Sequence, residues 1–395
     1  MSAALADPDR LQQLQMLRSS ALAFSAKESP PARARALRAE APGFDLQFWN
    51  ALAAQGWTGL LVPESAGGYA QGLAEMAEVA GALAAQVAPE PIVPVLVFAG
   101  RLLQNCSGHP TARALLADIA AGRALPAVAW QEDATGAGSF DDRGRVAEPA
   151  AVCARDSGRL VLRGGKRHVR PGAAATGYIV SASSAEGMAL VWLPAGSQGL
   201  VTSVQRLADG TFAAQLQFQE IAVPTDHLLA IGPAAEDALA AAYDEALVLA
   251  GAELASISRQ MLSTTLDYLR TRKQFGKPIG SFQALQHRAV DMLIQQELSG
   301  ALVAHALAEL DGGCTGIDRA LLGARVKARC SEAALAIARE SVQLHGAIGV
   351  TDECDLGLYL QRALVLSAWL GNAALQRQRF AQLSRQSSGD QEHAA

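Results

Sequence analysis

The chain has 395 residues, half of them apolar and 18% charged. That is long enough for two or three domains and apolar enough for a large core, so disorder is not the default. A net charge of −5 lacks the basic excess of a nucleic-acid binder, and no run reaches the roughly 18 uncharged apolar residues of a membrane span. The N-terminus, MSAALADPDRLQQLQ, has no basic start followed by an apolar run, so no signal peptide is expected and a cytoplasmic location is. Cys106, Cys153, Cys314, Cys330 and Cys354 form no CxxC pair, and His287, His305 and His345 are not at zinc spacing. They read as isolated thiols in a reducing compartment, and no metal site is expected.

Residues 1–125 carry a helical pattern. Leu11, Leu14 and Leu17 share one face, and Leu73, Met76, Val79, Ala80 and Leu83 share another. The break Pro63–Gly68 and the proline-marked stretch Pro89–Pro94, expected to be extended, separate helices. Over 126–232 the period falls to two. Arg159–Leu162, Gly177–Val180, Met188–Trp192 and Gln215–Gln219 read as strands, with turns expected at Gly164-Gly165 and Asp209-Gly210. The expected unit is a small antiparallel β-barrel or sandwich. From 233 to 395 long helical stripes return: Leu247, Ala250, Leu254, Ile257, Met261, Thr265, Tyr268, and Leu322, Val326, Cys330, Ala333, Ile337, Ser341, Leu344. Each covers about six turns, as in a four-helix bundle. The fold class is therefore α+β multidomain: helical domain, β-barrel, helical bundle.

The glycine-rich phosphate cradles GxGxxG and GxxxxGK[ST] are missing, as are GxSxG and HExxH. Two bundle segments stand out. In Arg270–Gln283, cations at a helix end precede a tight Phe275-Gly276 loop. They complement the helix dipole, or they form an anion site in which an arginine fork grips pyrophosphate. In Glu340–Thr351, a long helix runs into Gly346, Ala347 and Gly349. This is a C-cap, or a close backbone approach to a bulky ligand read by Gln343.

Together with Gly56–Gly68, these two segments and the order helices–strands–helices resemble the acyl-CoA dehydrogenase flavoproteins over nearly the whole chain. The segments Thr271–His287 and Gln343–Glu353 are most similar to bacterial enzymes of the pimeloyl-CoA and steroid side-chain groups. The resemblance implies FAD, an acyl-CoA substrate oxidised to the 2,3-enoyl-CoA, and an electron-transfer flavoprotein as acceptor. It implies an FAD shared across a subunit boundary, with Arg272, Gln274, Phe275 and Gln283 from one chain and Gln343, Gly346, Ala347 and Gly349 from a neighbour. A homodimer, a homotetramer or a heterotetramer would supply that boundary.

Three places depart from the family pattern. The Thr-Glu-Pro-Gly-x-Gly-Ser-Asp stretch becomes Gln131–Gly138, and Trp-Ile-Thr becomes His168-Val169-Arg170, making Gln131 and Arg170 candidate contacts to the flavin pyrimidine or the CoA phosphates. The usual base, in Tyr-Glu-Gly-Thr, becomes Trp369-Leu370-Gly371-Asn372, and leucine accepts no proton. Some members carry the base on the first bundle helix. Glu245, in Glu-Ala-Leu-Val-Leu-Ala-Gly, is the candidate and Asp244 the fallback, although counting back from Phe275 without a gap lands on Ala246. Two other readings stand beside an active dehydrogenase: a non-catalytic or half-site subunit of a heteromer, and a flavin oxidase or monooxygenase on the same fold.

Overall fold

The computed structural model describes residues 8–133, 139–156 and 159–393. Helices come first: α1 (Pro8–Glu28), α2 (Pro31–Leu37), α3 (Leu46–Ala54), α4 (Leu73–Ala84), α5 (Gly100–Asn105) and α6 (Pro110–Ala120). The Leu73–Leu83 stripe of α4 is buried, with α1 packed on α4. The leucine face of α1 is only partly covered, and Leu11 is exposed. The Pro89–Pro94 stretch departs from expectation. Ile92 is already helical, and Val93–Ala99 winds with π turns directly into α5. Pro94 is tolerated because the first turn of a helix has no use for its missing N–H. This turn is wholly buried and sets Phe98 edge-on against Tyr243.

The sheet contains β1 (Pro126–Ala129), β2 (Val152–Asp156), β3 (Arg159–Val169), β4 (Gly177–Ser184), β5 (Gly187–Pro194), β6 (Leu200–Arg206), β7 (Phe212–Val223) and β8 (Leu228–Ile231). The order is β6-β7-β3-β2-β4-β5-β8, with β1 also on β4. Pairing is antiparallel except that β1 and β2 both run parallel to β4. Long connections separate those strands in sequence, as parallel neighbours require. Among the described residues the order is an open path rather than a closed ring. Asp209-Gly210 does turn β6 into β7, with Asp209 Oδ1 accepting the Thr211 N–H at 3.0 Å. Gly164-Gly165 is not a turn: it lies inside β3, where the register against β7 slips. Gly164 has φ +113°, and a Cβ there would come 2.8 Å from Ala151 Cα. The glycine therefore marks a bulge with close backbone approach.

The bundle contains α7 (Pro233–Thr271), a hairpin of β9 (Lys273–Gln274) and β10 (Lys277–Pro278), α8 (Gln283–Asp311), α9 (Gly316–His345), α10 (Leu356–Ala368) and α11 (Ala373–His393). Leu247 to Thr265 on α7 and Leu322 to Leu344 on α9 are buried as the stripes predict. The two helices approach so closely that a Cβ on Gly251 would lie 2.4 Å from Val326 Cγ1. One core joins the two helical regions, and a second fills the sheet. On α8, Val290, Leu293, Ile294 and Leu298 face outward. Among the described residues no helix is long and apolar enough to cross a membrane.

Candidate functional site

A cavity of about 340 Å³ lies between the sheet and α10. Trp130, Gln131, His168 and Arg170 line one side, and Leu364, Ala368 and Trp369 the other. Gln131 follows β1, and its carbonyl accepts the Arg167 N–H at 2.8 Å. The next residue, Glu132, anchors the loop from below. Its Oε1 accepts from Lys166 Nζ at 2.6 Å, and its carboxylate accepts the Ala150 and Ala151 N–H groups. Lys166 is fully buried and also donates to Trp130 O and Ser181 Oγ. Burial pushes its ammonium down to about 8, against the pull of Glu132. Burial works to raise Glu132, but Lys166 and the two N–H groups outweigh it and hold its carboxyl below its usual range. Of the Gln131–Gly138 stretch, 134–138 lie outside the described residues.

Arg170 follows β3 and is buried. Nη2 donates to Thr211 Oγ1 at 3.2 Å, whereas Nη1 has no partner among the described residues. The guanidinium stands 5.3 Å over the Trp369 ring. Burial lowers its pKa to about 10. Two indoles and a buried guanidinium with an unpaired N–H group suit a flat heterocycle that carries hydrogen-bond acceptors along one side.

The opposite wall is a pinned turn. Leu370 (φ +59°) and Gly371 (φ +89°) are both left-handed. The Leu370 carbonyl accepts from Tyr243 Oη at 2.5 Å and Gln376 Nε2 at 2.6 Å. Lys327, fully buried on α9, donates to Ser367 O and Gly371 O, both at 2.9 Å, and to Ser331 Oγ at 3.2 Å. No carboxylate among the described residues bonds to it, and burial pushes it down to about 7. Among the described residues the cavity lining contains no carboxylate.

The two candidate acids of α7 point elsewhere. Glu245 is clasped by Arg101 of α5, which also donates to Gln104 Oε1. Asp244 is held by Arg379 at 2.7 Å and Arg319 at 3.4 Å, and it lines a different cleft of about 640 Å³. Adjacent helix residues point about 100° apart, so each meets its own arginine.

The bundle loops form a third surface, outside the cavity lining. Arg272 caps α7, and Gln274, Phe275 and Gly276 make the hairpin; all four are exposed. Phe275 is 91% exposed at φ +51°, a left-handed conformation rare for a bulky side chain. Gln283 opens α8 and is exposed, as are Gln343, Gly346 and Ala347; Gly349 is buried. Tyr268 stacks on His345 with ring centroids 4.2 Å apart, which brings the ends of α7 and α9 together. Within one protomer the structure thus gathers Gln131 with Arg170, and leaves the bundle-loop residues on another face.

The model of the acyl-CoA dehydrogenase N-terminal domain matches residues 12–123, and that of the C-terminal domain residues 238–383. Acyl-CoA dehydrogenase IpdE2 of Mycobacterium tuberculosis is 30% identical over 355 residues, 89% of this chain and 91% of that protein. The chain belongs to the acyl-CoA dehydrogenase family. The steroid ACAD structure Tcur3481-Tcur3483 superposes with a TM-score of 0.85 at 26% identity, covering 96% of this chain and 99% of that one. The ChsE4-ChsE5 complex from Mycobacterium tuberculosis shares the fold, with a TM-score of 0.81 at 23% identity over 93% and 96% of the two chains. Acyl-CoA dehydrogenases are flavoprotein oxidoreductases, and FAD is the cofactor.

Sequence reasoning missed the residues that hold this acyl-CoA dehydrogenase site in shape. Trp130 was available as an aromatic just beyond a strand. Lys166 and Lys327 look like ordinary solvated charges until the fold buries them, and Arg101 until the fold half-buries it against Glu245.

Proposed function

We propose that this chain holds FAD for the α,β-dehydrogenation of an acyl-CoA thioester to the 2,3-enoyl-CoA, beside a second chain that supplies the base. Electrons then pass to an electron-transfer flavoprotein. Residues 1–125, 126–232 and 233–395 act as helical, β and bundle domains of a cytoplasmic enzyme, with the flavin ring between the last two. Bound FAD supplies the hydride acceptor. Arg170 and Gln131 hold the polar edge of its ring, while Trp130 and Trp369 keep water out. Arg272, with Gln274, Phe275 and Gln283, grips the pyrophosphate of FAD bound by a neighbouring protomer. Gln343, Gly346, Ala347 and Gly349 approach the adenine end. A shared cofactor requires at least a dimer, and closed symmetry favours a dimer or a dimer of dimers.

One observation carries the two-chain reading. By the family resemblance Leu370 takes the place of the usual base, and the two candidate acids of α7, Glu245 and Asp244, are tied to arginines away from a cavity whose described lining has no carboxylate. An α-proton beside a thioester needs a positioned base. The ChsE4-ChsE5 complex, named for two chains, is built on this fold, so such an assembly is compatible with it. The test is purification of the chain alone and with candidate partner chains. The expected result is yellow protein whose flavin is bleached anaerobically by an acyl-CoA only when a second chain is present. Bleaching of the chain alone would favour a second reading, supported by the buried Glu245 in its family-like context, in which ligand binding releases Glu245 from Arg101. Rapid reoxidation by air would instead indicate an oxidase.

A further inference from the structure

Behind Arg170 the cavity wall continues as a chain of buried polar groups. Arg170 Nη2 donates to Thr211 Oγ1 at 3.2 Å, and Thr211 Oγ1 donates to Asp209 Oδ1 at 2.6 Å. Arg362 Nη1 donates to Asp209 Oδ2 at 3.0 Å, and Arg362 Nη2 lies 3.8 Å from Glu253 Oε1. The side chains of Asp209, Arg362 and Glu253 are 4–5% exposed. They come from the β6–β7 turn, α10 and α7, so three elements must meet to assemble the chain. Burial works to raise Asp209, but Arg362 and Arg170 outweigh it and keep its carboxyl below the usual range. Burial raises Glu253.

Both ends of the chain are open. Among the described residues Glu253 Oε2 has no partner at the inner end, and Nη1 of Arg170, the residue that lines the cavity, has none at the outer end. A buried guanidinium edge without an acceptor is costly unless a ligand completes it. With water excluded, these charges act on one another and on the cavity far more strongly than surface charges do.

We propose that this chain of charges sets the reduction potential of the bound FAD: Arg170 places its buried positive charge in the cavity wall beside the flavin, and Asp209 limits how much of that charge the flavin feels. The inference rests on the cavity being the seat of the flavin ring. In the family reaction the thioester is oxidised: a proton leaves Cα for the base and a hydride leaves Cβ. That hydride brings two electrons and one proton to FAD, so the reduced cofactor gains one negative charge. A cation beside the ring in a dry cavity favours this charged product over the neutral oxidised form.

The test measures the FAD midpoint potential in the assembled holoprotein, reduced against a dye of known potential. Arg170→Met should shift the equilibrium toward oxidised FAD at least about tenfold, which is a drop of about 30 mV for a two-electron couple. Asp209→Asn should shift it the other way, because Arg170 no longer shares its charge. Thr211→Val alters no charge and should move the potential in the same direction as Asp209→Asn, by less. It replaces that variant if Asp209→Asn fails to fold for want of a partner to Arg362. Opposite shifts support the inference, since a merely structural role would move both variants the same way. Shifts of one sign, or none, overturn it. A wild-type assembly that binds no FAD would instead overturn the cavity assignment itself.

Discussion

Arg101 grips Glu245 with both edges of its fork: Nε lies 2.5 Å from Oε2, and Nη2 3.1 Å from Oε1. Burial by itself would lower the Arg101 pKa, but the bond and charge of Glu245 raise it instead. A carboxylate held this way is a structural anion rather than a ready base. Glu245→Gln keeps the shape and removes the charge. It should cost ~1–3 kcal/mol in urea denaturation, because a part-buried guanidinium loses its counter-charge. Flavin reduction in the two-chain assembly should remain within a few-fold of wild type by anaerobic stopped flow. A loss of about 10²-fold or more, the lower scale for a general base, would return Glu245 to the catalytic role.

Arg272 is exposed, and its guanidinium has no hydrogen-bond or ion-pair partner among the described residues. Arg272→Ala should therefore leave the chain's own stability within about 0.5 kcal/mol, as for an ordinary surface change. FAD retention on gel filtration should fall, and assembly with it. Unchanged flavin content would remove Arg272 from the cofactor site.

Phe275 combines a left-handed backbone with a fully presented ring, and glycine takes that conformation without strain. Phe275→Gly should stabilise the isolated protomer by about 1 kcal/mol. The same change should weaken FAD binding, since the ring is lost from the shared surface. Thermal melts and flavin titration read the two effects separately. Losses in both would place the ring in the protomer's own packing.

Lys327 has an acid-base consequence. Its folded pKa is lowered to about 7 from an ordinary 10.5, so between those values the unfolded chain binds the extra proton. The cost of burying the charge is complete below pH 7 and is relieved as pH rises. Lys327→Met carries no such proton. The stability of wild type relative to Lys327→Met should therefore climb from pH 6 to pH 9, by at most about 1.4 kcal/mol per pH unit. A pH-independent difference in denaturation midpoints would show that Lys327 keeps an ordinary pKa.

The helical stripes of α7 and α9 were legible because a period near 3.6, sustained over six turns, fits a helix and no strand. The order of helices, strands and bundle followed from where the period changes. The cavity pair Gln131 and Arg170 was legible only through the departures from the family pattern, and their roles remain proposals. Local signals misled where tertiary contact decides. Gly164-Gly165 reads as a turn, yet it exists to let Ala151 come close. Pro94 reads as extended, yet a buried helix start accommodates it. The bonds that shape the cavity and tie back a candidate acid were beyond any local reading: Lys327 to Gly371, Arg170 to Thr211 and Arg101 to Glu245 join residues far apart in the chain.

Helix α7 runs unbroken through 39 residues, from Pro233 to Thr271. Such a helix behaves as a rigid shaft, carrying any change of register undiminished from one end to the other. Deleting one residue between Ala246 and the hairpin would turn everything upstream by about 100° and draw it about 1.5 Å toward the hairpin. Glu245 would leave the arginine that clasps it and take the bearing now held by Ala246. Asp244 would swing into the direction Glu245 has vacated. The single-residue offset from the family spacing is thus a rotational setting, one that decides which of two neighbouring acids any partner on that face encounters.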